Sequence, residues 1–441
     1  MYQEEYRRKL CTADDAAALI KSGDTVYISG GALTPVDFAA ALWRHRAGLE
    51  RVRVLNYLPL APLAFDMEAE SAEHFQVESL FFNRIQQVGA ANGVCDFIPN
   101  NLRNGARDWA TAVPEYDLMV VTVAPMDRHG YFTLAASSII EWDLIGRQKK
   151  LIVEVASHAP RCFGDTLVHI SQVDGIIESD RYPTVLPQPV PTHEDKVLGG
   201  HVAELVEDGS TIQLGFGGTV DALADQLQGK HDLGIHTEAF SDAGMRLMEC
   251  GAVNNSKKTL NPRLTVTAFT MGSERLYDYV NDNPSILHKA LSYTNNLNVL
   301  AQNRRMVSIN AALQVDLSGQ CASEAIGPRQ FSGSGGQVDT AVGAQMSEGG
   351  KSIITLRSTF TQKDPVTGEK VLRSRIVPQL DPGSIVTLTR SNTHYVATEY
   401  GVACLRGLTL RARAKALTAI AHPQFRPWLE EEFDKLCRGK R

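Results

Sequence analysis

The sequence predicts an α/β protein made of two open, mostly parallel sheets with helices on both faces. Short apolar segments of strand length alternate with segments of helical pattern, and several of the predicted strands run into glycine-rich turns. Strands that are buried on both faces read as continuous apolar runs, which is typical of parallel sheets between helices. A third observation is that the pattern of the first half of the chain recurs in the second half.

In the first half, helices and strands are expected to alternate. The predicted helices span residues 16–20 and 35–42, and the predicted strands span residues 25–29, 52–55, 118–123 and 151–155. Ser22-Gly23 ends the first helix, since glycine adopts the left-handed conformation that commonly follows a helix. In the second half, the predicted strands are the apolar run before Gly215, residues 264–267 and residues 306–310. Residues 221–227 and 406–415 are predicted helices.

The recurrence has a nearly constant offset. Residues 17–26 align with residues 203–212, and since Gly23 matches Gly209 the offset is 209 − 23 = 186. Met119 and the two residues after it align with Met306 and its successors at an offset of 306 − 119 = 187. Two matches at almost one offset predict an internal duplication.

The length of 441 residues favours more than one core, and a proline-rich stretch marks a boundary near residue 190. The prolines are Pro183, Pro187, Pro189 and Pro191. We therefore predict one α/β domain over residues 1–190 and a second over residues 191–441.

Composition excludes several classes of protein. The net charge of −6 argues against a nucleic-acid binder, and the sequence lacks a run of 18 apolar residues and a signal-peptide pattern. We expect a soluble cytoplasmic protein with no membrane partner. The seven cysteines are scattered, with no Cys-x-x-Cys or Cys/His cluster, so reduced thiols and no metal site are expected.

The carboxylate of Glu238 follows a predicted strand directly, and the preceding strand runs into Gly215, Gly217 and Gly218. Ligands of open α/β sheets bind outside the carboxyl ends of the strands. A second glycine-rich stretch contains Gly333, Gly335, Gly336 and Gln337. Glycines let backbone amides approach an anion closely, so both loops are candidate binding sites.

One apparent nucleotide motif is rejected. Gly350-Lys351-Ser352 mimics the end of a Walker A sequence, but Gln345 occupies the position of its first glycine and a strand is predicted to follow.

Three segments together resemble the acetyl-CoA hydrolase/transferase family, especially its 4-hydroxybutyrate and butyrate CoA-transferase branch. They are Gly-Ile-His-Thr-Glu at residues 234–238, the glycine loop at 335–337 with residues 349–353, and residues 393–401. The resemblance covers nearly the whole chain. It implies two related α/β domains with the active site between them, and a homo-oligomer, most often a dimer.

The resemblance also implies roles for individual residues. Glu238 is the expected nucleophile, and no metal or permanently bound cofactor is implied, because coenzyme A and acyl-CoA are substrates. The expected oxyanion and CoA-binding residues are Gly215, Gly217, Gly218, Gly333, Gly335, Gly336 and Gln337. Apart from the resemblance, Asn56 and Tyr57 are expected to line the substrate pocket because the counterpart of Glu238 in the first half lies near them. Asn310, Lys351 and Glu399 are the other candidate pocket residues. Lys257, Lys258 and Lys351 are candidates to hold the CoA phosphates.

The implied reaction moves coenzyme A from acetyl-CoA or succinyl-CoA to a small carboxylic acid through a glutamyl-CoA thioester, with ping-pong kinetics. The acid remains open among 4-hydroxybutyrate, butyrate and a dicarboxylate such as itaconate. Thr219 stands where relatives usually have proline, and Thr340 where they often have phenylalanine. An acyl-CoA hydrolase and a non-enzymatic ligand-binding protein remain as alternatives.

Overall fold

The computed structural model describes residues 2–188, 190–363 and 367–438, and their contacts divide them into two compact units. Unit 1 comprises residues 2–188, 238–245 and 264–296. Unit 2 comprises residues 190–237, 246–263 and 297–438. Among the described residues, no helix is both long and apolar enough to span a lipid bilayer.

The elements have the following bounds. The strands are β1 (Thr25–Ile28), β2 (Val52–Asn56), β3 (Phe75–Ser79), β4 (Cys95–Phe97), β5 (Tyr116–Val123), β6 (Tyr131–Thr133), β7 (Gln148–Ala156), β8 (Phe163–Gly164), β9 (Leu167–His169), β10 (Gly175–Ser179), β11 (Thr211–Gln213), β12 (Gly234–Ile235), β13 (Ala239–Phe240), β14 (Thr265–Thr267), β15 (Phe269–Thr270), β16 (Ile286–His288), β17 (Met306–Ala311), β18 (Gln314–Asp316), β19 (Cys321–Ala322), β20 (Ala325–Ile326), β21 (Arg329–Gln330), β22 (Lys351–Thr355), β23 (Thr359–Lys363), β24 (Lys370–Ser374), β25 (Ile376–Val377), β26 (Tyr395–Thr398) and β27 (Gly401–Cys404). The α-helices are α1 (Tyr2–Lys9), α2 (Ala13–Ala17), α3 (Val36–Arg44), α4 (Ala64–Met67), α5 (Arg84–Ala91), α6 (Gly105–Ala112), α7 (Glu141–Leu144), α8 (His193–Leu205), α9 (Gly218–Leu227), α10 (Asp242–Glu249), α11 (Glu274–Val280), α12 (Leu291–Thr294), α13 (Leu297–Gln302), α14 (Gln337–Met346), α15 (Leu410–Ala419) and α16 (Arg426–Arg438). Short 3₁₀ helices span Arg46–Gly48, Ala69–Glu73, Leu102–Asn104, Ile170–Gln172 and Pro423–Phe425.

Unit 1 is built on a parallel sheet with the strand order β10-β7-β5-β1-β2-β3-β4. Successive side chains of a strand point to opposite faces of the sheet, so each strand contributes residues to the apolar core on either face. Val26 and Ile28 of β1 belong to one buried cluster with Phe38 of α3, whereas Tyr27 belongs to a second cluster with Trp109 of α6. The sheet therefore has apolar cores on both faces, which explains its continuous apolar strands.

Unit 2 contains a sheet with the order β12-β11-β17-β22-β26-β27, parallel except for the pairing of β26 with β27. Ile354 of β22 and Val396 of β26 pack in one cluster with Leu417 of α15 and Leu429 of α16. Both units thus have the α/β architecture with mostly parallel sheets that the sequence predicts.

The two sheets have related topologies. In unit 1, β1 lies between β5 and β2, and in unit 2, β11 lies between β17 and β12. Thr25 pairs with Arg53 in the first sheet, and Thr211 pairs with Gly234 in the second. The strands aligned at offsets of 186 and 187 therefore hold equivalent places in their sheets, as expected for a duplication.

The division of the chain differs from the predicted one in one respect. A boundary lies next to residue 190, but residues 238–245 and 264–296 cluster with unit 1. The physical reason is strand pairing: β16 pairs with β8, Phe269 of β15 forms a bridge with Ser137, and β13 pairs with β15. Glu238 is thus counted in unit 1 instead of the C-terminal domain. Pro189 of the predicted linker lies outside the described residues.

Candidate active site

The backbone of Glu238 is fixed within unit 1. Its carbonyl oxygen accepts hydrogen bonds from the N–H groups of Ala268 at 2.9 Å and Phe269 at 3.2 Å. The hydroxyl of Thr267 donates to the same oxygen at 3.1 Å. Three donors on one carbonyl hold the peptide in place, so the side chain of Glu238 starts from a fixed backbone.

The carboxylate of Glu238 is also oriented. Its Oε2 accepts a hydrogen bond of 3.1 Å from Nδ2 of Asn295. Asn295 is completely buried at the end of α12, and its Oδ1 accepts a hydrogen bond from the Thr294 hydroxyl at 3.1 Å. Because that hydroxyl fixes the direction of the amide, Nδ2 is held toward Glu238. A hydrogen bond to a charged group contributes roughly 1.5–3 kcal/mol.

Tyr57 is the positional equivalent of Glu238 in the duplication. Thr25 and Thr211 are aligned by the duplication, and their strand partners Arg53 and Gly234 are therefore equivalent. Tyr57 lies four residues after Arg53 (53 + 4 = 57), and Glu238 lies four residues after Gly234 (234 + 4 = 238). Tyr57 is buried, and its pKa is raised well above the ordinary value by burial and then by the charges of Glu238 and Glu141. Tyr57 and Glu238 therefore lie within electrostatic reach of each other in unit 1.

Asn56 takes part in a buried pair. Its Nδ2 donates to both carboxylate oxygens of Asp66, at 2.8 and 2.9 Å. Burial raises the pKa of Asp66 to about 8, although the hydrogen bond from Asn56 opposes this rise. The amide nitrogen of Asn56 is thus committed to Asp66, while its Oδ1 has no hydrogen-bond partner among the described residues.

The first glycine loop leads into α9 of unit 2. Gly217 has a φ of +117°, a conformation that favours glycine, and a Cβ on Gly218 would meet Oδ2 of Asp195 at 3.0 Å. Asp195 accepts a hydrogen bond from the Thr219 hydroxyl at 2.8 Å and from two nitrogens of Arg357 at 2.6 and 3.1 Å. Burial opposes ionisation of Asp195, but these hydrogen bonds prevail and lower its pKa. The start of α9 is held in this way, and helix N-termini attract anions.

The second glycine loop leads into α14. Gly335 has a φ of +58°, and Gly336 precedes the first residue of the helix, Gln337. Gln337 is 4% exposed, and neither its Oε1 nor its Nε2 has a hydrogen-bond partner among the described residues. Gly333 lies two residues before Gly335 in the same loop.

A polar network connects the two loops within unit 2. Nδ2 of Asn310 donates to Ser308 at 2.8 Å, to Thr340 at 3.0 Å and to Oε1 of Gln213 at 3.4 Å. The hydroxyl of Thr340 donates to the carbonyl of Gly336 at 3.0 Å. Since Gln213 ends β11 just before the first loop, the structure brings both loops and Asn310 to the carboxyl edge of this sheet.

The remaining two predicted pocket residues lie at different edges. Glu399 follows β26, and its carboxylate accepts hydrogen bonds from the N–H and hydroxyl groups of Ser358, which follows β22. Lys351 is instead the first residue of β22, where its Nζ donates to the carbonyl of Leu205 at 2.8 Å and to Glu207 at 2.7 Å. Glu399 thus lies at the carboxyl edge with Asn310, and Lys351 lies at the amino edge.

The other two lysines differ in environment. Lys258 is 5% exposed, and its Nζ donates to the carbonyl of Ile235 at 2.8 Å. Burial lowers the pKa of Lys258 to about 7. Lys257 lines a cavity of about 390 Å³ with Arg304 and Arg305. The described residues contain no group of three or more His, Cys, Asp and Glu side chains arranged to hold a metal ion.

Two parts of the site were missed by sequence reasoning. Asn295 lies 57 residues after Glu238 in an asparagine-rich turn that carries no recognisable signal. Arg357 and Asp195 are 162 residues apart, so their pairing is visible only in three dimensions. A carboxylate with a fixed backbone and an oriented Oε2 is suited to act as a nucleophile or a base.

Comparison with known proteins identifies the family. The model of the acetyl-CoA hydrolase/transferase N-terminal domain matches residues 1–187, and that of the C-terminal domain matches residues 272–433. Succinyl-CoA:cyclohexane-1-carboxylate CoA transferase of Geobacter metallireducens is 41% identical over 437 residues, which cover 99% of this chain and 98% of the relative. The 4-hydroxybutyrate coenzyme A transferase of Clostridium kluyveri is 38% identical and covers 98% of this chain and 99% of its own length.

A solved structure has the same fold. RipA from Yersinia pestis superposes with a TM-score of 0.92 and 32% identity over 99% of both chains. The resemblance deduced from the glutamate segment and the glycine loop is therefore confirmed over the full chain. The two curated relatives are named CoA-transferases, which is consistent with a CoA-transferase enzyme. This chain belongs to the acetyl-CoA hydrolase/transferase family.

Proposed function

We propose that this protein transfers coenzyme A from a short acyl-CoA to a small carboxylic acid, with Glu238 as the nucleophile. The observation that carries the proposal is the arrangement of Glu238, whose backbone carbonyl has three donors and whose Oε2 accepts a hydrogen bond from buried Asn295. A carboxylate is a weak nucleophile, so holding it in one orientation reduces the entropic cost of attack on a thioester.

The reaction proceeds in two equivalent halves. The Glu238 carboxylate attacks the thioester carbonyl, which forms an acyl-glutamyl anhydride and expels the coenzyme A thiolate. The thiolate then attacks the glutamyl carbonyl, which gives a glutamyl-CoA thioester and releases the first acid as its carboxylate. The second acid attacks this thioester, and the returning thiolate cleaves the new anhydride to give the second acyl-CoA and free Glu238. Atoms and charge balance without an oxidant or a general base.

In unit 2, the glycine loops are assigned to binding oxygen atoms of the substrate. The backbone amides around Gly217 and Gly335 lie at the starts of α9 and α14, where N–H groups have no partner within the helix. Loss of one donor to a developing oxyanion typically costs about 3–4 kcal/mol. Gln337, which is buried with both polar atoms unpartnered among the described residues, is assigned to the same role.

The acid substrate is proposed by class. The named relatives use cyclohexane-1-carboxylate and 4-hydroxybutyrate, so the common feature is a small carboxylic acid with an apolar body or one further polar group. We place 4-hydroxybutyrate and butyrate first, with acetyl-CoA or succinyl-CoA as donor. A dicarboxylate such as itaconate is included because Thr219 and Thr340 replace the proline and the phenylalanine that relatives have there, and threonine is smaller than phenylalanine.

Acceptor dependence tests this function. The purified protein is incubated with acetyl-CoA or succinyl-CoA and each acid in turn, and the acyl-CoA products are separated by chromatography. Transfer predicts a new acyl-CoA only when an acid is present. Release of free coenzyme A at the same rate without any acid would identify an acyl-CoA hydrolase. No turnover of any acyl-CoA, with or without acid, would contradict both enzymatic functions.

A further inference from the structure

Tyr57 is a buried tyrosine of unit 1 whose hydroxyl has no acceptor among the described residues. It belongs to the same apolar cluster as Tyr27 and Tyr116. The hydroxyl of Tyr27 donates to Oε1 of Glu141 at 2.8 Å, and that of Tyr116 donates to the carbonyl of Leu144 at 3.1 Å. Buried tyrosine hydroxyls usually find such a partner. The Tyr57 hydroxyl is therefore a donor that remains available to a bound molecule.

The hydroxyl of Tyr57 can be reached from solvent. In the described part of the chain, side-chain oxygens such as Oγ1 of Thr122 and Oγ of Ser137 lack a partner and are sealed from solvent. The Tyr57 hydroxyl lacks a partner but is not sealed, so the 1% of Tyr57 that is exposed includes this oxygen. The ring itself is held in the core, with its centroid 6.2 Å from that of Phe81. Tyr57 thus presents a fixed donor within a largely apolar surrounding.

The backbone next to Tyr57 has an unusual conformation. Leu58 has a φ of +49°, which is rare for a bulky residue, and it precedes Pro59, before which residues are normally extended. The N–H of Gly31 donates to the carbonyl of Leu58 at 2.9 Å. A Cβ on Gly30 would lie 1.5 Å from the carbonyl oxygen of Tyr57, so only glycine permits this approach. Backbone strain that the surrounding structure maintains in this way is concentrated at functional sites.

Tyr57 lies near Glu238 within unit 1 without a direct hydrogen bond between the two side chains. Burial and then the charge of Glu238 raise the pKa of Tyr57 well above its ordinary value, so the phenol keeps its proton and can donate it in a hydrogen bond. Oε2 of Glu238 accepts its hydrogen bond from Asn295 instead. This arrangement suits a small group that is bound at Glu238 and accepts a hydrogen bond from Tyr57.

We propose that Tyr57 is a further catalytic residue, whose hydroxyl donates a hydrogen bond to the carbonyl oxygen of the acyl group that Glu238 attacks. The role rests on the proposed function, because this oxygen gains negative charge when Glu238 adds to the thioester. The phenol proton stays on Tyr57, and no covalent bond to Tyr57 forms or breaks. Since every acyl group has this oxygen, Tyr57 contributes equally to the transfer of acids with and without a further polar group.

The substitution Tyr57→Phe tests this role, because it removes only the hydroxyl. We expect kcat and kcat/KM for transfer between acetyl-CoA and butyrate to fall together by about 10- to 100-fold, as for a donor that acts in the transition state. The thermal unfolding midpoint should not fall, because the folded protein loses no hydrogen bond. Equal activity of Tyr57→Phe and the wild type would overturn the proposal.

The substitution Tyr116→Phe is the matched control. It removes a hydroxyl from the same cluster, but one that is bonded to the carbonyl of Leu144. We therefore expect the opposite pair of results, a lower unfolding midpoint and an unchanged kcat/KM. If Tyr57→Phe also lowered the unfolding midpoint and lost activity only in proportion to the unfolded fraction, its hydroxyl would have a structural role and the proposal would be wrong.

A comparison of two acids identifies the oxygen that Tyr57 contacts. Tyr57→Phe should lower kcat/KM by the same factor with butyrate and with 4-hydroxybutyrate, because both acids have the acyl oxygen. A loss confined to 4-hydroxybutyrate would overturn the proposal, since Tyr57 would then bind the hydroxyl of that substrate. Failure of the proposed function would appear separately, as absence of transfer by the wild type with either acid, whereas failure of the inference alone would leave both proteins equally active.

Discussion

Asn295 donates a hydrogen bond of 3.1 Å from Nδ2 to Oε2 of Glu238, across 57 residues of sequence and within one structural unit. The donor is itself fixed, because its Oδ1 accepts from Thr294 and its side chain is completely buried. A carboxylate that must attack a thioester benefits from such a partner in two ways. The hydrogen bond favours one rotamer of Glu238, and it fixes the direction in which the carboxylate faces.

Replacing Asn295 by alanine is expected to lower kcat/KM for CoA transfer by about 10- to 100-fold, the equivalent of a hydrogen bond to a charged group. Asn295→Asp should lower it further, because a second carboxylate would face Glu238. The measurement is steady-state transfer with acetyl-CoA and butyrate. Ser292→Ala on α12 removes an exposed hydrogen bond to Asp143 and serves as the control. Equal activity of Asn295→Ala and this control would refute a positioning role.

Gly217→Val is expected to lower the transfer rate by at least 100-fold while the protein stays folded. A Cβ added at this position would have no atom within 4 Å, so the loss would come from the φ of +117° and from bulk in front of α9. Gly23 has a φ of +85° and equally open surroundings in a turn of unit 1. Gly23→Val is therefore the matched control for backbone strain. Activity is compared with the thermal unfolding midpoint, and parallel losses in both variants would argue against a special role for Gly217.

The contribution of buried Asp66 to the free energy of unfolding is expected to fall as the pH rises from about 5 to 8. Burial raises the pKa of Asp66 to about 8, whereas the unfolded chain has the ordinary value near 4. Between these values the folded state holds more protons than the unfolded state, so the free energy of unfolding decreases with increasing pH. Glu141 and Glu154, whose pKa values burial raises to about 7, contribute in the same direction. Burial lowers the pKa of Lys258 to about 7 and that of His288 to about 3, so these two groups act in the opposite direction, above pH 7 and below about pH 6.5 respectively.

Urea denaturation at a series of pH values measures this dependence. Asp66→Asn keeps an oxygen that accepts from Asn56 but cannot ionise, so it should flatten the decrease. Asp96→Asn, at an exposed position on β4, should leave the pH dependence as in the wild type. An identical pH dependence of stability in Asp66→Asn and the wild type would contradict the assignment of this buried carboxyl group.

Much of the fold can be predicted because local pattern determines it. The apolar-rich segments of β1, β5 and β17 predict these strands, and the structure contains them with ends that differ by at most two residues. The duplication is visible in the sequence because Gly23 and Gly209 lie in equivalent turns before β1 and β11. The division into units is predicted only in part, because no local signal shows that the chain passes from one unit to the other after Thr237.

The site can be predicted only where residues lie within a motif. Glu238 follows a strand and belongs to a segment that resembles a family, so sequence alone makes it the candidate nucleophile. Asn295 and Arg357 act through contacts between distant parts of the chain, and neither belongs to a motif. Lys351 follows two glycines, so its sequence context suggests a pocket residue. In the structure Lys351 is the first residue of β22 and therefore lies at the amino edge of the sheet, opposite the edge that carries Asn310 and Glu399.

The most direct test of the central claim is the detection of a covalent adduct on Glu238. The protein is incubated with acyl-CoA in the absence of an acid, treated with borohydride and digested, and the peptide around Thr237 is analysed by mass spectrometry. We predict that the glutamyl-CoA thioester is reduced to an alcohol at Glu238, with loss of activity only when acyl-CoA was present. Glu238→Ala and Glu238→Gln should form no adduct and show no transfer. An adduct on another residue, such as Glu324 or Glu399, would contradict the assignment.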